Sequence, residues 1–211
     1  PRSTLFPYTT LFRSITDDNY RLALGDVAVA DAATLAADTH VASMEVTGTG
    51  EEIAAAFDTL AGLATLQSLT LGDDNGTLSL TTAQVLGGSA TLGKITNPYQ
   101  IAASGATLAD LEALQALNEV SSIALSDSTA NVAAAFDDLL AMGSQLASLG
   151  FTDDTPVLAL TQAAWTDGAA VLAKVEGAYQ VDLSAVEAGS VGTLAAEDTV
   201  RQLSVTDTAD T

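Results

Sequence analysis

Cysteine is absent from the chain, histidine and tryptophan occur once each, and lysine and arginine together number six among 211 residues. Without cysteine there can be no disulfide, no thiolate metal ligand and no cysteine nucleophile. The lone histidine, His40, argues against a Ser-His-Asp set and against a multi-histidine metal site. Gly48-Thr49-Gly50 lacks the third glycine and the basic partner of a phosphate loop, and no Gly-x-Ser-x-Gly elbow occurs. No apolar run approaches the ~20 residues of a membrane-spanning helix. Against the few cations stand 27 Asp and Glu, for a formal net charge of −21. A field of that sign repels phosphate backbones and anionic lipid, so nucleic acid and membrane surfaces are disfavoured as partners while divalent cations are not.

What is present is repetition. Tyr99-Gln100-Ile101-Ala102-Ala103-Ser104 returns as Tyr179-Gln180-Val181-Asp182-Leu183-Ser184, and Tyr20-Arg21-Leu22-Ala23-Leu24 is a weaker copy; the spacings are 79 and 80 residues. Ala54-Ala55-Ala56-Phe57-Asp58 recurs as Ala133-Ala134-Ala135-Phe136-Asp137, and Lys94 matches Lys174. Self-similarity at fixed spacing marks a stacked array. Inside each repeat, apolar residues occupy the first, fourth and sixth positions of Val41-x-x-Met44-x-Val46, Leu66-x-x-Leu69-x-Leu71, Val120-x-x-Ile123-x-Leu125, Leu146-x-x-Leu149-x-Phe151 and Val200-x-x-Leu203-x-Val205. With the three tyrosine segments these make eight strand candidates.

Helix-prone stretches lie between them, such as Ala106 to Leu117 and Asn131 to Met142, rich in alanine and leucine, with Asp127 or Ser128 placed to cap the latter. Inserts at Asp73-Asp74-Asn75-Gly76 and Asp153-Asp154-Thr155-Pro156 read as turns followed by short extended runs. Strand and helix alternating without hairpin signals predict parallel strands joined by helical crossovers. The expected fold is α/β: a right-handed strand-helix solenoid with a parallel sheet, about eight coils spanning roughly 35 Å. A closed or doubly wound α/β domain is the competing architecture, but it would make the long-period similarity accidental.

Residues 4–14, Thr4-Leu5-Phe6-Pro7-Tyr8-Thr9-Thr10-Leu11-Phe12-Arg13-Ser14, resemble the translation of a sequencing adapter and have no counterpart in the repeat, so residues 1–14 are set aside from fold reasoning. The remainder, 15–211, divides into repeats 15–96, 97–176 and a partial 177–211, and carries only four basic residues against its 27 acidic ones. Because Thr206–Thr211 aligns with Ser126–Asn131, the chain is expected to be a piece of a longer array.

Acidic turns are the one chemically suggestive feature. Asp73, Asp74 and Asn75, with Asp153 and Asp154, place adjacent carboxylates and an amide in a turn, the oxygen-rich setting calcium uses, although the spacing is not that of an EF-hand and no Gly-Gly-x-Gly-x-Asp run occurs. Solvation is the ordinary use of such turns. No catalytic residue is assigned and no cofactor is expected beyond calcium at these inserts. His40 falls opposite Glu119 and Thr199, which suits a loop or strand edge, and Trp165 falls opposite Val85, which suits packing. The three tyrosines are expected to be core or strand-start residues with hydroxyls toward solvent.

The first-fourth-sixth strand pattern resembles leucine-rich repeats, with Thr49, Asp74, Ser128, Asp154 and Thr208 where an asparagine ladder would stand. The segment Ser126–Asp137, followed by Leu158-Ala159-Leu160-Thr161-Gln162-Ala163, resembles repeats of very large, acidic, cysteine-poor bacterial surface or secreted proteins of the adhesin and RTX type. The resemblance implies a non-catalytic structural or interaction array, a spacer or adhesive stalk, extracellular or at the cell surface. Its partners would be adjacent repeats of the same chain and a protein or glycan at the sheet face. The alternatives are a calcium- or carbohydrate-binding module and, more distantly, a degradative enzyme with carboxylates converging in a cleft.

Overall fold

The computed structural model describes residues 20–73 and 76–206. The adapter-like segment, Asp74 and Asn75 of the calcium candidates, and Thr208 of the ladder positions lie outside the described residues. Every apolar segment identified above forms a strand: β1 (Leu22–Ala28), β2 (Val41–Gly48), β3 (Leu66–Leu71), β5 (Gln100–Ala106), β6 (Val120–Asp127), β7 (Leu146–Phe151), β9 (Gln180–Val186) and β10 (Val200–Val205). The extended runs of the two inserts add β4 (Thr77–Thr81) and β8 (Val157–Thr161). All strand pairs are parallel, as crossover connections require.

The expectation of one sheet of about eight coils is corrected on both counts. Ten strands form three separate sheets among the described residues, ordered β1-β2-β3, β4-β5-β6-β7 and β10-β9-β8. The insert strands account for the difference, because each starts a new sheet against the following tyrosine strand instead of extending the one before it. The outward edge of β3 meets Ile95 through one isolated bridge, and that of β7 meets Val175 in the same way. Asn97 completes the β3 edge by imitating a neighbouring strand: its Oδ1 accepts from Leu71 N and its Nδ2 donates to Leu71 O, both at 2.9 Å. Strand order follows chain order in every sheet, so among the described residues no sheet contains the reversal that defines a doubly wound domain.

Two compact units result, one comprising the described residues up to Gly76 with Ala90–Pro98, the other Thr77–Ser89 with the described residues from Tyr99 onward. In the first, Met44, Val46, Leu69, Ile53, Phe57 and Leu60 are at most 1% exposed. In the second, Leu78, Leu80, Ile101, Ile123, Leu139, Leu149 and Leu158 are equally dry. First and fourth positions of a strand ordinarily point to opposite faces. Here Val41 and Met44 are both buried because the β1–β2 register shifts between Leu22 and Ala23. The β5–β6 pair shifts between Ile101 and Ala102, and Val120 and Ile123 are likewise both inside.

Short helices follow the strands, among them α1 (Val29–Ala36) after β1 and α5 (Ser89–Leu92) before β5. The segment from Ala106 to Leu117 becomes a 3₁₀ turn (Leu108–Asp110) and α6 (Leu111–Gln115), consistent with leucines three apart. The Asn131 stretch becomes α7 (Thr129–Ala134) and α8 (Phe136–Met142), separated at Ala135, and Ser128 is its N-cap, accepting from Asn131 N. The first unit repeats this with α2 (Gly50–Ala55) and α3 (Phe57–Ala61), where Thr49 and Glu52 form a reciprocal capping box. Thr81 and Gln84 form another ahead of α4 (Thr82–Gly87), and Thr161 caps α9 (Gln162–Asp167).

Each tyrosine strand carries a left-handed residue at one register position: Asp26 (φ 53°), Gly105 (φ 67°) and Ala185 (φ 53°). The strand pairing shifts there in all three copies, so this is a conserved bulge geometry within the chain. Alanine is poorly suited to it, because its Cβ approaches the following carbonyl. Ala185→Gly is therefore expected to raise stability by about 1 kcal/mol, read as a higher urea midpoint at unchanged slope; a lower midpoint would contradict the account.

Candidate functional site

The acidic turns bind the chain's own backbone. Asp73 Oδ1 accepts from Gly50 N at 2.9 Å and Asp153 Oδ2 accepts from Thr129 N at 2.6 Å. Gly50 and Thr129 are the first residues of α2 and α7, so each carboxylate reaches back to the preceding strand-helix segment, to an N–H that a helix leaves without an internal partner. The turn around Asp73 is tight: a side chain at Gly76 would come within 2.6 Å of Asp73 Oδ2. Asp154 is exposed and joins Thr155, Pro156, Tyr179 and Gln180 around a shallow cleft of about 340 Å³. Asp73, Asp153 and Asp154 are the described members of the calcium candidates, and no three His, Cys, Asp or Glu side chains gather in a metal-holding group among the described residues.

Asp127, one of the two residues expected to cap the Asn131 helix, is a third carboxylate of this kind, while the cap itself falls to Ser128. Asp127, at the end of β6, accepts from Leu108 N (3.0 Å, Oδ2), Ser128 N (2.8 Å, Oδ1) and Asn131 Nδ2 (2.7 Å, Oδ1). Burial pushes its carboxyl upward, but the three donors outweigh it and hold it below the usual range. The signal available was positional: Gly48 is its counterpart in the first repeat, and a Cβ there would lie 2.5 Å from Val29 Cγ2, leaving no room for a side chain. A carboxyl with a lowered folded-state pKa contributes stability above the unfolded value near 3.9 and loses it as pH falls through the folded one. Asp127→Ala is expected to cost about 1 kcal/mol at pH 7, a cap-sized loss discounted for solvent screening. The difference from the parent chain should shrink below about pH 4, and a cost independent of pH in urea melts would refute the assignment.

The two lysines also act on the backbone. Lys94 Nζ donates to Leu66 O at 2.6 Å. Lys174 Nζ donates to Leu146 O and, at 2.7 Å, to Gly143 O. Arg201 grips the Asp182 carboxylate with two nitrogens, Nε at 2.9 Å from Oδ1 and Nη2 on Oδ2. This pair crosses between β9 and β10 at the surface.

The three tyrosines precede equivalent strands yet have different neighbours. Tyr20 stacks on His40 with ring centroids 4.3 Å apart, and His40 Nδ1 lies 2.9 Å from Asp38 Oδ1. The His40 backbone N–H, followed by its ring, holds the Asp38 carboxyl below the usual range. Burial raises the Tyr99 hydroxyl, with Glu119 adding to it, and burial alone raises Tyr179, whose ring lies tilted 5.9 Å from Phe151. His40 sits just before β2, and Trp165 is half-buried on α9 where Val85 is buried.

A groove of about 650 Å³ runs between α6 and α8, lined by Leu111, Gln115 and Ala135 with Glu112 and Asp138. Both carboxylates are solvent-exposed, so the desolvation on which a glycosidase-type acid relies is missing there. Comparison of the chain with known protein families, with curated proteins and with solved structures found no match.

Proposed function

We propose that this chain is a structural or interaction array, a strand-helix solenoid serving as spacer or adhesive stalk in a large secreted or cell-surface bacterial protein. The observation that carries the reading is that the repeat extends to individual polar contacts. Asp73 to Gly50 N is matched by Asp153 to Thr129 N, Lys94 to Leu66 O by Lys174 to Leu146 O, and Ser104 to Leu80 O by Ser184 to Leu160 O. Residues that recur as contacts between coils serve the architecture, and an array needs each coil to be held by its neighbours. Sequential strand order and parallel pairing support the solenoid form.

The sheet face is the candidate contact surface for a protein or glycan. In the four-stranded sheet its register brings together Ser79, Ala102, Ser122, Ala124 and Ser148, small and uncharged residues in a strongly acidic chain. Inserting a further copy of residues 77–156 after Pro156 tests the array. Four added strands should lengthen the particle by roughly 20 Å in small-angle scattering, and melting should stay a single transition at a higher midpoint. An added copy that melts independently would sink the solenoid. In a calorimetric calcium titration we expect no heat and an unchanged melting temperature, since Asp73 and Asp153 each already cap a helix. Heat together with a raised melting temperature would favour the calcium-module reading instead.

A further inference from the structure

Four departures of the second repeat from the first gather around one cleft. In the first compact unit the outward N–H and C=O of Leu71, the last residue of β3, are taken by the Asn97 carboxamide, and Leu71 is 4% exposed. The turn that follows is tight, since a Cβ at Gly76 would lie 2.6 Å from Leu71 Cδ2. At the matching positions of the second repeat Leu71 is replaced by Phe151, Gly76 by Pro156, Asn97 by Gly177 and Pro98 by Ala178. Thr152 N donates to Asp127 O at 3.0 Å, so the N–H and C=O of Phe151 face away from β6, as those of Leu71 face away from β2. Gly177, with its backbone at φ 89°, has no amide side chain to offer them, and among the described residues no other group takes the place of Asn97. The Phe151 side chain is half-buried, its ring tilted against that of Tyr179. Tyr179 in turn lines the cleft of about 340 Å³ with Pro156, Ala178, Gln180 and the exposed Asp154.

The geometry points to a saccharide subsite in this cleft, for one neutral hexose unit of a glycan. Contacts that recur between the repeats serve the architecture. Here linked replacements remove such a contact and set an aromatic pair beside a carboxylate and a carboxamide. A pyranose lays its apolar C–H face on an aromatic ring, while its hydroxyls, each both donor and acceptor, suit the Asp154 carboxylate and the Gln180 carboxamide. A vicinal diol also offers the donor and acceptor that Asn97 offers Leu71, and the Phe151 backbone edge adjoins the cleft through the Tyr179 ring and the Gly177-Ala178 segment. The volume lies at the small end of ligand sites, roughly 300–1,000 Å³, which suits a single sugar ring. Asp154 at the rim and a net charge of −21 disfavour acidic sugars. The site lies wholly within the second compact unit and does not depend on the array reading.

Titration of the full chain with glucose, galactose, mannose and N-acetylglucosamine, followed through its backbone amides by NMR, tests the subsite. With at least one of these sugars the amides of Phe151, Thr155, Tyr179 and Gln180 are expected to shift saturably, with a dissociation constant in the millimolar range. Asp154→Ala, at an exposed position, and Tyr179→Leu should each weaken binding by about tenfold. Gly177→Asn, which returns the carboxamide of the first unit to the Phe151 edge, should weaken it as well at an unchanged melting temperature. No saturable shift with any of the sugars overturns the inference, and so do shifts that survive both Asp154→Ala and Tyr179→Leu. Shifts centred on Ser79, Ser122 and Ser148 also overturn it, placing the glycan on the sheet face. Failure of the array reading is a separate result, because an independently melting 77–156 insert would leave sugar binding at Tyr179 intact.

Discussion

Phe136→Ala is expected to destabilise the second compact unit by about 3–5 kcal/mol, a large part of what a domain possesses. Phe136 is 3% exposed, and its ring fills the space beside Gly168, the residue between α9 and α10 (Ala169–Leu172). A methyl at Gly168 would fall 2.3 Å from Phe136 Cε1 and 2.5 Å from the Ala164 carbonyl oxygen. Gly168→Ala alone should therefore cost about 1–3 kcal/mol by overpacking. Combined, the two substitutions should cost less than their sum, because the cavity left by the ring admits part of the added methyl's displacement. Urea unfolding checks this through the midpoints at constant slope. Strict additivity, or a Phe136→Ala cost under about 1 kcal/mol, would show that ring and glycine do not share the space.

Lys174→Met should cost about 2 kcal/mol, and Lys94→Met distinctly less. The difference lies in the carbonyls left behind. Lys174 serves both Gly143 O and Leu146 O, whereas Lys94 serves Leu66 O. Methionine keeps the apolar length of the side chain while removing the donor, so packing is largely preserved and the loss reports the charge-assisted bonds. Equal effects at the two positions in thermal melts, or none at either, would remove lysine from the set of groups that hold successive strand-helix segments together.

Much of this was legible in the sequence because parallel strands and their crossovers follow local rules. The first-fourth-sixth pattern located Val41, Leu66, Val120, Leu146 and Val200, and each begins a strand. A cap ahead of the Asn131 helix was readable at Asp127 or Ser128 because capping is confined to a few residue types, and the fold gives it to Ser128. The pattern did not reveal that its first and fourth positions share a face only through a register shift, since a bulge depends on the neighbouring strand. Nor could it show that the acidic turns cap the preceding helices: Asp73 and Gly50 are 23 residues apart, and their contact exists only once the chain between them has folded.

The chain's sequence by itself determined the repeat, the alternation of strand and helix, the strong negative charge and the absence of thiol chemistry, because these follow from residue types and spacings alone. Tertiary structure decided where one sheet ends and the next begins. Strand edges are chosen by competition among distant segments: the backbone around Ile95 and the Asn97 amide take the edge of β3, leaving β4 to pair with β5. It also decided the work of the charged side chains. An aspartate in a turn is a calcium ligand, a solvated charge or a helix cap according to which N–H groups the fold brings within about 3 Å, and in this chain Asp73, Asp127 and Asp153 have helix N-termini there.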